Sequence, residues 1–138
     1  MKQIIFLFIL ANSCTAFPQS IHWSKTSHWK LYDLKDQKGF SVSLDSLTHF
    51  KSIGLDDDSV RGFLEHATAW PKEKTAVWMG YFTVTCENGA GIPKKIELSM
   101  YGGFFYDETA KQYYQLPEEI RQDWLDFLNR KYDQLTEP

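Results

Sequence analysis

The tract from Thr75 to Cys86 limits the folds open to this chain more than any other segment. It reads Thr-Ala-Val-Trp-Met-Gly-Tyr-Phe-Thr-Val-Thr-Cys, and β-branched and aromatic residues of this kind favour extended strands. Successive side chains of a strand point to opposite faces, and here both alternating sets contain apolar residues. The tract therefore predicts a central strand, covered by a helix on one face and by other side chains on the second.

Two later segments predict neighbours for this strand. After a turn at 88–91, apolar and polar residues alternate over 95–100, which is typical of a strand with one solvent-exposed face. Residues 104–106 and 113–114 are aromatic and flank a short turn, which is typical of a hairpin. Together with the central tract, these segments predict an antiparallel meander of about four strands.

The chain before residue 75 predicts a hairpin and two short helices. Residues 29–34 and 40–44 alternate around a turn at 36–39, which favours an N-terminal hairpin. A short helical pattern begins at Asp45 and ends near Gly54. The acidic triplet 56–58 favours a second helix start, because negative charge and a capping oxygen stabilise a helix N-terminus.

The C-terminal segment predicts a longer helix that lies across the meander. Pro117 suits the first helical position, and acidic residues follow it where the helix dipole favours them. One apolar stripe runs along this helix and consists of Ile120, Trp124, Phe127, Leu128 and Leu135. The whole pattern predicts an α+β fold: an antiparallel sheet, made of the N-terminal hairpin and the meander, packed against two short helices and the C-terminal helix.

Residues 1–16 have the pattern of a cleavable secretory signal. Lys2 precedes an apolar run at 4–11 that is about half the length needed to span a bilayer. Cleavage after Ala16 is one interpretation. The other is cleavage after Ser13, which leaves Cys14 as the first residue for lipidation. We expect 17–27 to be a flexible lead-in and 28–138 to be a single α+β domain.

Charge and cysteine content narrow the classes of partner. Removal of 1–16 takes away one of the 15 basic residues, Lys2, and none of the 18 acidic ones, so the net charge moves from −3 to −4. This mildly acidic chain has no basic cluster, which argues against nucleic acid and anionic membrane surfaces as partners. Cys86 would then be the remaining cysteine, so no intramolecular disulfide forms, and its strand position predicts a buried, inert thiol.

No motif in the sequence predicts a catalytic, metal or cofactor site. His22 and His28 fall in the lead-in, whereas His49 and His66 fall beside apolar stripes on the short helices. The triplet 56–58 lacks the mid-loop glycine and distal glutamate of a calcium loop, and helix capping explains it better. No Gly-x-Ser-x-Gly occurs, and the glycine-rich 88–91 turn joins two strands rather than a strand and a helix.

The aromatic hairpin carries the binding hypothesis. Adjacent aromatic residues on a strand point to opposite faces, so Phe105 and one of Tyr113 or Tyr114 enter the core while others stay outside. Exposed aromatic surface commonly marks contact with a protein or a sugar, although cross-strand pairing that only stabilises the hairpin is the alternative. The predicted binding residues are Tyr101, Phe104, Tyr106, Tyr113 and Tyr114.

Three functions are consistent with these patterns. The first is a non-enzymatic binding protein of a bacterial periplasm or exterior, anchored to the outer membrane if Cys14 is lipidated, that engages a protein partner through the aromatic hairpin. The second is a small-ligand carrier with an apolar pocket between the sheet and the C-terminal helix. The third is a small hydrolase that uses His49 or His66 with a carboxylate. The lining residues expected for the carrier are Trp78, Tyr81, Met100 and Trp124.

Overall fold

A computed structural model describes residues 23–71, 82–99 and 103–138 of the chain. Within these residues seven strands and two α-helices are present, joined by turns and by three short 3-10 segments at Trp23–Lys25, Gly39–Ser41 and Asp45–His49. The elements are β1 (Ser27–Asp33), β2 (Lys51–Gly54), α1 (Asp57–Leu64), β3 (Thr68–Ala69), β4 (Phe82–Glu87), β5 (Pro93–Leu98), β6 (Phe104–Asp107), β7 (Gln112–Gln115) and α2 (Glu118–Thr136).

The strands form one antiparallel sheet in the order β2-β1-β4-β5-β6-β7-β3. The predicted α+β class, with an antiparallel sheet and a C-terminal helix, is confirmed. β4 lies between β1 and β5, and its residues Phe82–Cys86 are buried on both faces. This part of the 75–86 tract is a central strand, whereas Trp78 and the rest of the tract lie outside the described residues.

The inner face of the sheet carries the main hydrophobic core. Leu31 of β1 lies opposite Val84 of β4, and Val84 lies opposite Ile96 of β5, so the apolar residues of three strands align on one face. Helix α2 packs against β1 and β2 and buries its apolar stripe against this face. The stripe residues that are buried there are Trp124, Phe127, Leu128 and Leu135.

The N-terminal hairpin was predicted with the wrong partner strand. β1 pairs with β2 at 51–54 instead of with 40–44, and Leu31 lies opposite Ile53. Residues 34–50, which we call the strap, run over the outer face of the sheet and contain two 3-10 turns in place of the predicted strand and helix. Of the alternating apolar side chains at 40–44, Val42 is buried in a small second core with Leu34 and Leu47, and Leu44 packs beside it.

The second short helix begins where the acidic triplet predicted. The Asp56 side chain accepts a hydrogen bond of 2.9 Å from the Ser59 backbone N–H, which is an N-cap contact. α1 ends at Leu64, and the chain then pairs with β7 through Thr68 and Ala69.

Part of the expected lead-in belongs to the packed domain. Trp23 is 8% exposed, and its ring lies against those of Trp29 and Phe105. The Thr26 hydroxyl is buried and accepts a hydrogen bond from the Trp29 indole at 3.2 Å. These contacts place Trp23 and Thr26 among the core residues, and the flexibility of 17–27 stays a prediction.

An irregularity in β1 depends on one aspartate of α1. His28 has a positive φ of 57°, and the register of β1 against β4 shifts between Ser27 and Lys30. The backbone N–H groups of His28 and Trp29 turn away from the ladder and donate to the two carboxylate oxygens of Asp57, each at 3.1 Å. Asp57 therefore joins the start of α1 to the start of β1.

We expect Asp57→Ala to lower the free energy of unfolding by about 2 kcal/mol, because it leaves two backbone N–H groups without their charged acceptor. Asp58→Ala is the matched control. It removes the same charge from the same first helical turn, but Asp58 is exposed and its ion pair with Arg61 contributes less than about 0.5 kcal/mol. Urea unfolding of both variants measures the difference, and equal losses would contradict the role given to Asp57.

Candidate functional site

The β6–β7 hairpin separates its aromatic residues between two faces, as the sequence predicted. Phe105 lies opposite Tyr114 and Tyr106 lies opposite Tyr113. Phe105 is fully buried, and its ring stacks on Tyr114 at 5.2 Å between centroids. Tyr114 is only 3% exposed, because the register turns its side chain into the core and away from the exposed aromatic residues. Tyr101 lies outside the described residues.

The other three predicted residues meet on the outer face with two further aromatic rings. Tyr106 and Tyr113 are half-buried with centroids 4.5 Å apart, and Phe40 of the strap lies 5.9 Å from Tyr106. The ring of Trp70 meets the edge of Phe104 at 4.9 Å. We call this set the outer aromatic surface; it consists of Phe40, Trp70, Phe104, Tyr106 and Tyr113.

Sequence reasoning did not include Phe40 and Trp70 in the site. Trp70 reaches it because its backbone N–H donates to the Tyr113 carbonyl at 2.8 Å, next to the short β3–β7 pairing. Phe40 reaches it because the strap crosses the sheet, and its side chain remains 46% exposed. Both contacts are long-range, and no local pattern around either residue indicates them.

A buried polar cluster lies on the outer face of the sheet beneath the strap. Thr83 donates to the carboxylate oxygens of Glu97 at 2.7 and 2.9 Å, and the Lys95 ammonium lies 3.3 Å from the same carboxylate. Lys95 also donates to the Gly39 carbonyl at 2.6 Å and to Glu108 at 2.9 Å. Glu97 is 0% and Lys95 3% exposed, so the β5 face that the sequence predicted as solvent-exposed is covered.

Burial changes the acidity of Glu97. The loss of hydration raises the pKa of its carboxyl group to about 7, although the hydrogen bond from Thr83 and the charge of Lys95 act in the opposite direction. Glu97 therefore titrates near neutral pH while it is enclosed by the strap. A carboxyl group in this position can gain or lose a proton, but it faces protein atoms and not an open cavity.

A cleft of about 470 Å³ opens beside the strap, between its 44–48 segment and the β1–β4 pair. The Tyr32 and Thr85 hydroxyls, 3.1 Å apart, lie along it, and His28 Nδ1 is 3.2 Å from the Glu87 carboxylate. Apolar and polar groups both contribute to its wall. The lining residues are His28, Lys30, Tyr32, Leu44, Asp45, Leu47, Thr48, Thr85, Cys86, Glu87, Gly91 and Pro93.

The histidines considered for catalysis do not line this cleft. His49 is exposed at the end of a 3-10 turn, and His66 is exposed and lies 3.4 Å from its sequence neighbour Glu65. Over 23–71, 82–99 and 103–138, no three histidine, cysteine, aspartate or glutamate side chains are placed to hold a metal ion. His22 lies outside the described residues.

Trp124, one of the four residues expected to line a carrier pocket, is buried in the core. This residue is 2% exposed, and its ring packs against those of Phe63 and Phe127 at 5.2 and 6.0 Å. Trp78, Tyr81 and Met100 lie outside the described residues. The cleft beside the strap lies on the opposite face of the sheet from α2.

We expect the thiol of Cys86 to be unreactive in the folded protein. Cys86 is 1% exposed, and burial raises its thiol pKa to about 12, so the reactive thiolate is scarce at pH 8. Iodoacetamide at pH 8 should leave Cys86 unmodified over hours and label it fully in 6 M guanidinium, as read by peptide mass mapping. Rapid labelling of the folded protein would contradict the burial of this side chain.

No helix in the described part of the chain has both the length and the apolar character needed to cross a membrane.

Known proteins give no independent guide to these sites. Comparisons with protein-family models, curated protein sequences and solved structures found no match to this chain.

Proposed function

We propose that this chain is a non-enzymatic binding protein that engages a protein partner through the outer aromatic surface. The observation that carries the proposal is the convergence of five aromatic side chains from three separate segments on one face of the sheet. Tyrosine and tryptophan are enriched at protein interfaces because they bury a large area and lose little conformational freedom. The signal pattern of 1–16 supports a place in a periplasm or outside the cell.

The geometry of the rings favours a protein partner over a sugar. The Tyr106 and Tyr113 rings are tilted by 39°, and those of Phe40 and Tyr106 by 47°. Tilted rings form a corrugated surface, into which the side chains of a partner can fit, instead of a flat platform for one sugar ring. The sheet holds Tyr106 and Tyr113 in register, so the surface is organised before the partner arrives.

We expect the double substitution Tyr106→Ser and Tyr113→Ser to weaken partner binding by roughly 30-fold or more, because central aromatic residues carry most of the energy of an interface. The partner is first captured from the native envelope fraction with the wild-type protein and identified by mass spectrometry. Its Kd is then measured by calorimetry for each variant. A folded double variant that keeps wild-type affinity would overturn the proposal.

Two single substitutions provide a matched comparison. Phe40 and Ile92 are exposed large apolar residues, at 46% and 57%, but only Phe40 belongs to the outer aromatic surface. We expect Phe40→Ser to weaken binding roughly tenfold and Ile92→Ser to change the Kd by less than about twofold. Equal effects would mean that general surface hydrophobicity, not this surface, drives the association.

The cleft supports a second candidate function, the binding of a small ligand. Its volume of about 470 Å³ falls within the usual range for small-molecule sites, and its wall combines two leucines with a larger number of polar and charged residues. Native mass spectrometry of the protein purified from its source distinguishes the two functions. A retained small molecule, lost when Thr85 is replaced by Trp to fill the cleft, would favour the carrier.

A further inference from the structure

The strap connects the two surfaces that could bind a ligand. Its Phe40 completes the outer aromatic surface, and its residues 44, 45, 47 and 48 form one wall of the cleft. Its own apolar anchor is small, since the second core contains three buried residues, Leu34, Val42 and Leu47. Movement of the strap would therefore change both surfaces at once.

Polar contacts supplement this small core at one point, Gly39. The Cβ of a side chain at this position would overlap the carboxylate oxygens of Glu97 and the Thr83 hydroxyl, so the strap backbone lies directly on the buried cluster. The Lys95 ammonium holds the same point through its 2.6 Å hydrogen bond to the Gly39 carbonyl. A side chain at position 39 would therefore force Glu97, Thr83 or the strap backbone to shift.

We propose that Gly39, Lys95 and Glu97 form a latch, in which loss of a proton from Glu97 loosens the strap and uptake of that proton tightens it. The physical reason is hydration. An ionised carboxylate that is 0% exposed loses its water shell, and lifting the strap would restore it. The proposal concerns the chain alone and does not depend on the proposed partner.

The groups facing Glu97 determine the direction of the effect. Lys95 from β5 and Thr83 from β4 favour the ionised form, whereas Glu108 in the β6–β7 turn opposes it. Tyr106 lies opposite Glu97 on β6, and burial raises its phenol pKa, so it remains neutral near pH 7. The main chain of Gly39 closes the remaining side.

The closed strap is consequently more stable at lower pH. With the strap closed the pKa of Glu97 is about 7, and when the strap lifts it returns toward its ordinary value of 4.5. A group whose pKa is raised in the closed state contributes its full stabilisation below that ordinary value. This stabilisation is lost as the pH rises toward 7, so the strap opens more often at pH 8 than at pH 5.

Amide hydrogen exchange of the strap tests this directly. Val42, Leu47 and Phe50 each donate a backbone hydrogen bond within the strap, which makes their amides suitable probes. We expect their protection factors, corrected for the intrinsic rate at each pH, to fall roughly tenfold or more between pH 5 and pH 8 relative to amides of β4 and β5. Glu97→Gln should remove this pH dependence, because the amide does not ionise.

A pair of glycine substitutions tests the contact itself. Gly39→Ala pushes a methyl group into Glu97, and we expect strap protection to fall at least tenfold at both pH values. Gly54→Ala in β2 is the control, since a Cβ there meets no atom within 4 Å and should leave the strap unchanged.

Either of two results would overturn the latch. The first is that strap protection in the wild-type protein does not change with pH, or that it changes with pH equally in Glu97→Gln. The other is a folded Gly39→Ala protein with wild-type strap protection. If Gly39→Ala does not fold, the Glu97→Gln comparison decides the matter, and neither experiment requires the binding partner.

Discussion

The burial of β4 on both faces is the constraint on which the other parts of the domain depend. Its inner face, through Val84 and Cys86, is covered by the apolar core that includes α2. Its outer face carries the buried residues Thr83 and Thr85. The Thr83 hydroxyl donates to the Glu97 carboxylate, and the Thr85 hydroxyl is hydrogen-bonded to that of Tyr32. A buried hydroxyl without a hydrogen-bond partner lowers stability. The outer face of β4 can therefore be covered only if its polar groups are hydrogen-bonded, whereas the inner face requires only close apolar packing.

Elements with a strong local pattern could be predicted from the sequence, and those decided by distant contacts could not. The 104–114 hairpin and α2 follow from alternation and from a helical stripe, which each segment carries by itself. The strap could not be predicted, because Phe40, Val42 and Leu44 alternate in the same way as strand residues. Residues 40–44 are not a strand because β1 pairs with 51–54 instead. This pairing depends on contacts between residues that are far apart in the chain.

The site was predicted in part for a related reason. Alternation within the hairpin established that one tyrosine of the pair enters the core, but only the register with β6 selects Tyr114 over Tyr113. Lys95 and Glu97 alternate with apolar residues, which predicts that one face of β5 is polar. The alternation does not indicate that the strap covers this face. The position of the strap thus decides both which aromatic residues form the outer surface and which charges are buried.

The two ends of the sheet have a consequence for the protein at high concentration. The outermost strands among the described residues, β2 and β3, contain four and two residues, and β2 begins with an exposed lysine. Unpaired backbone groups at a sheet edge can recruit a strand of another molecule, and short edges bearing charge offer a poor template for such recruitment. We therefore expect the two described edges to resist edge-to-edge association into fibrils.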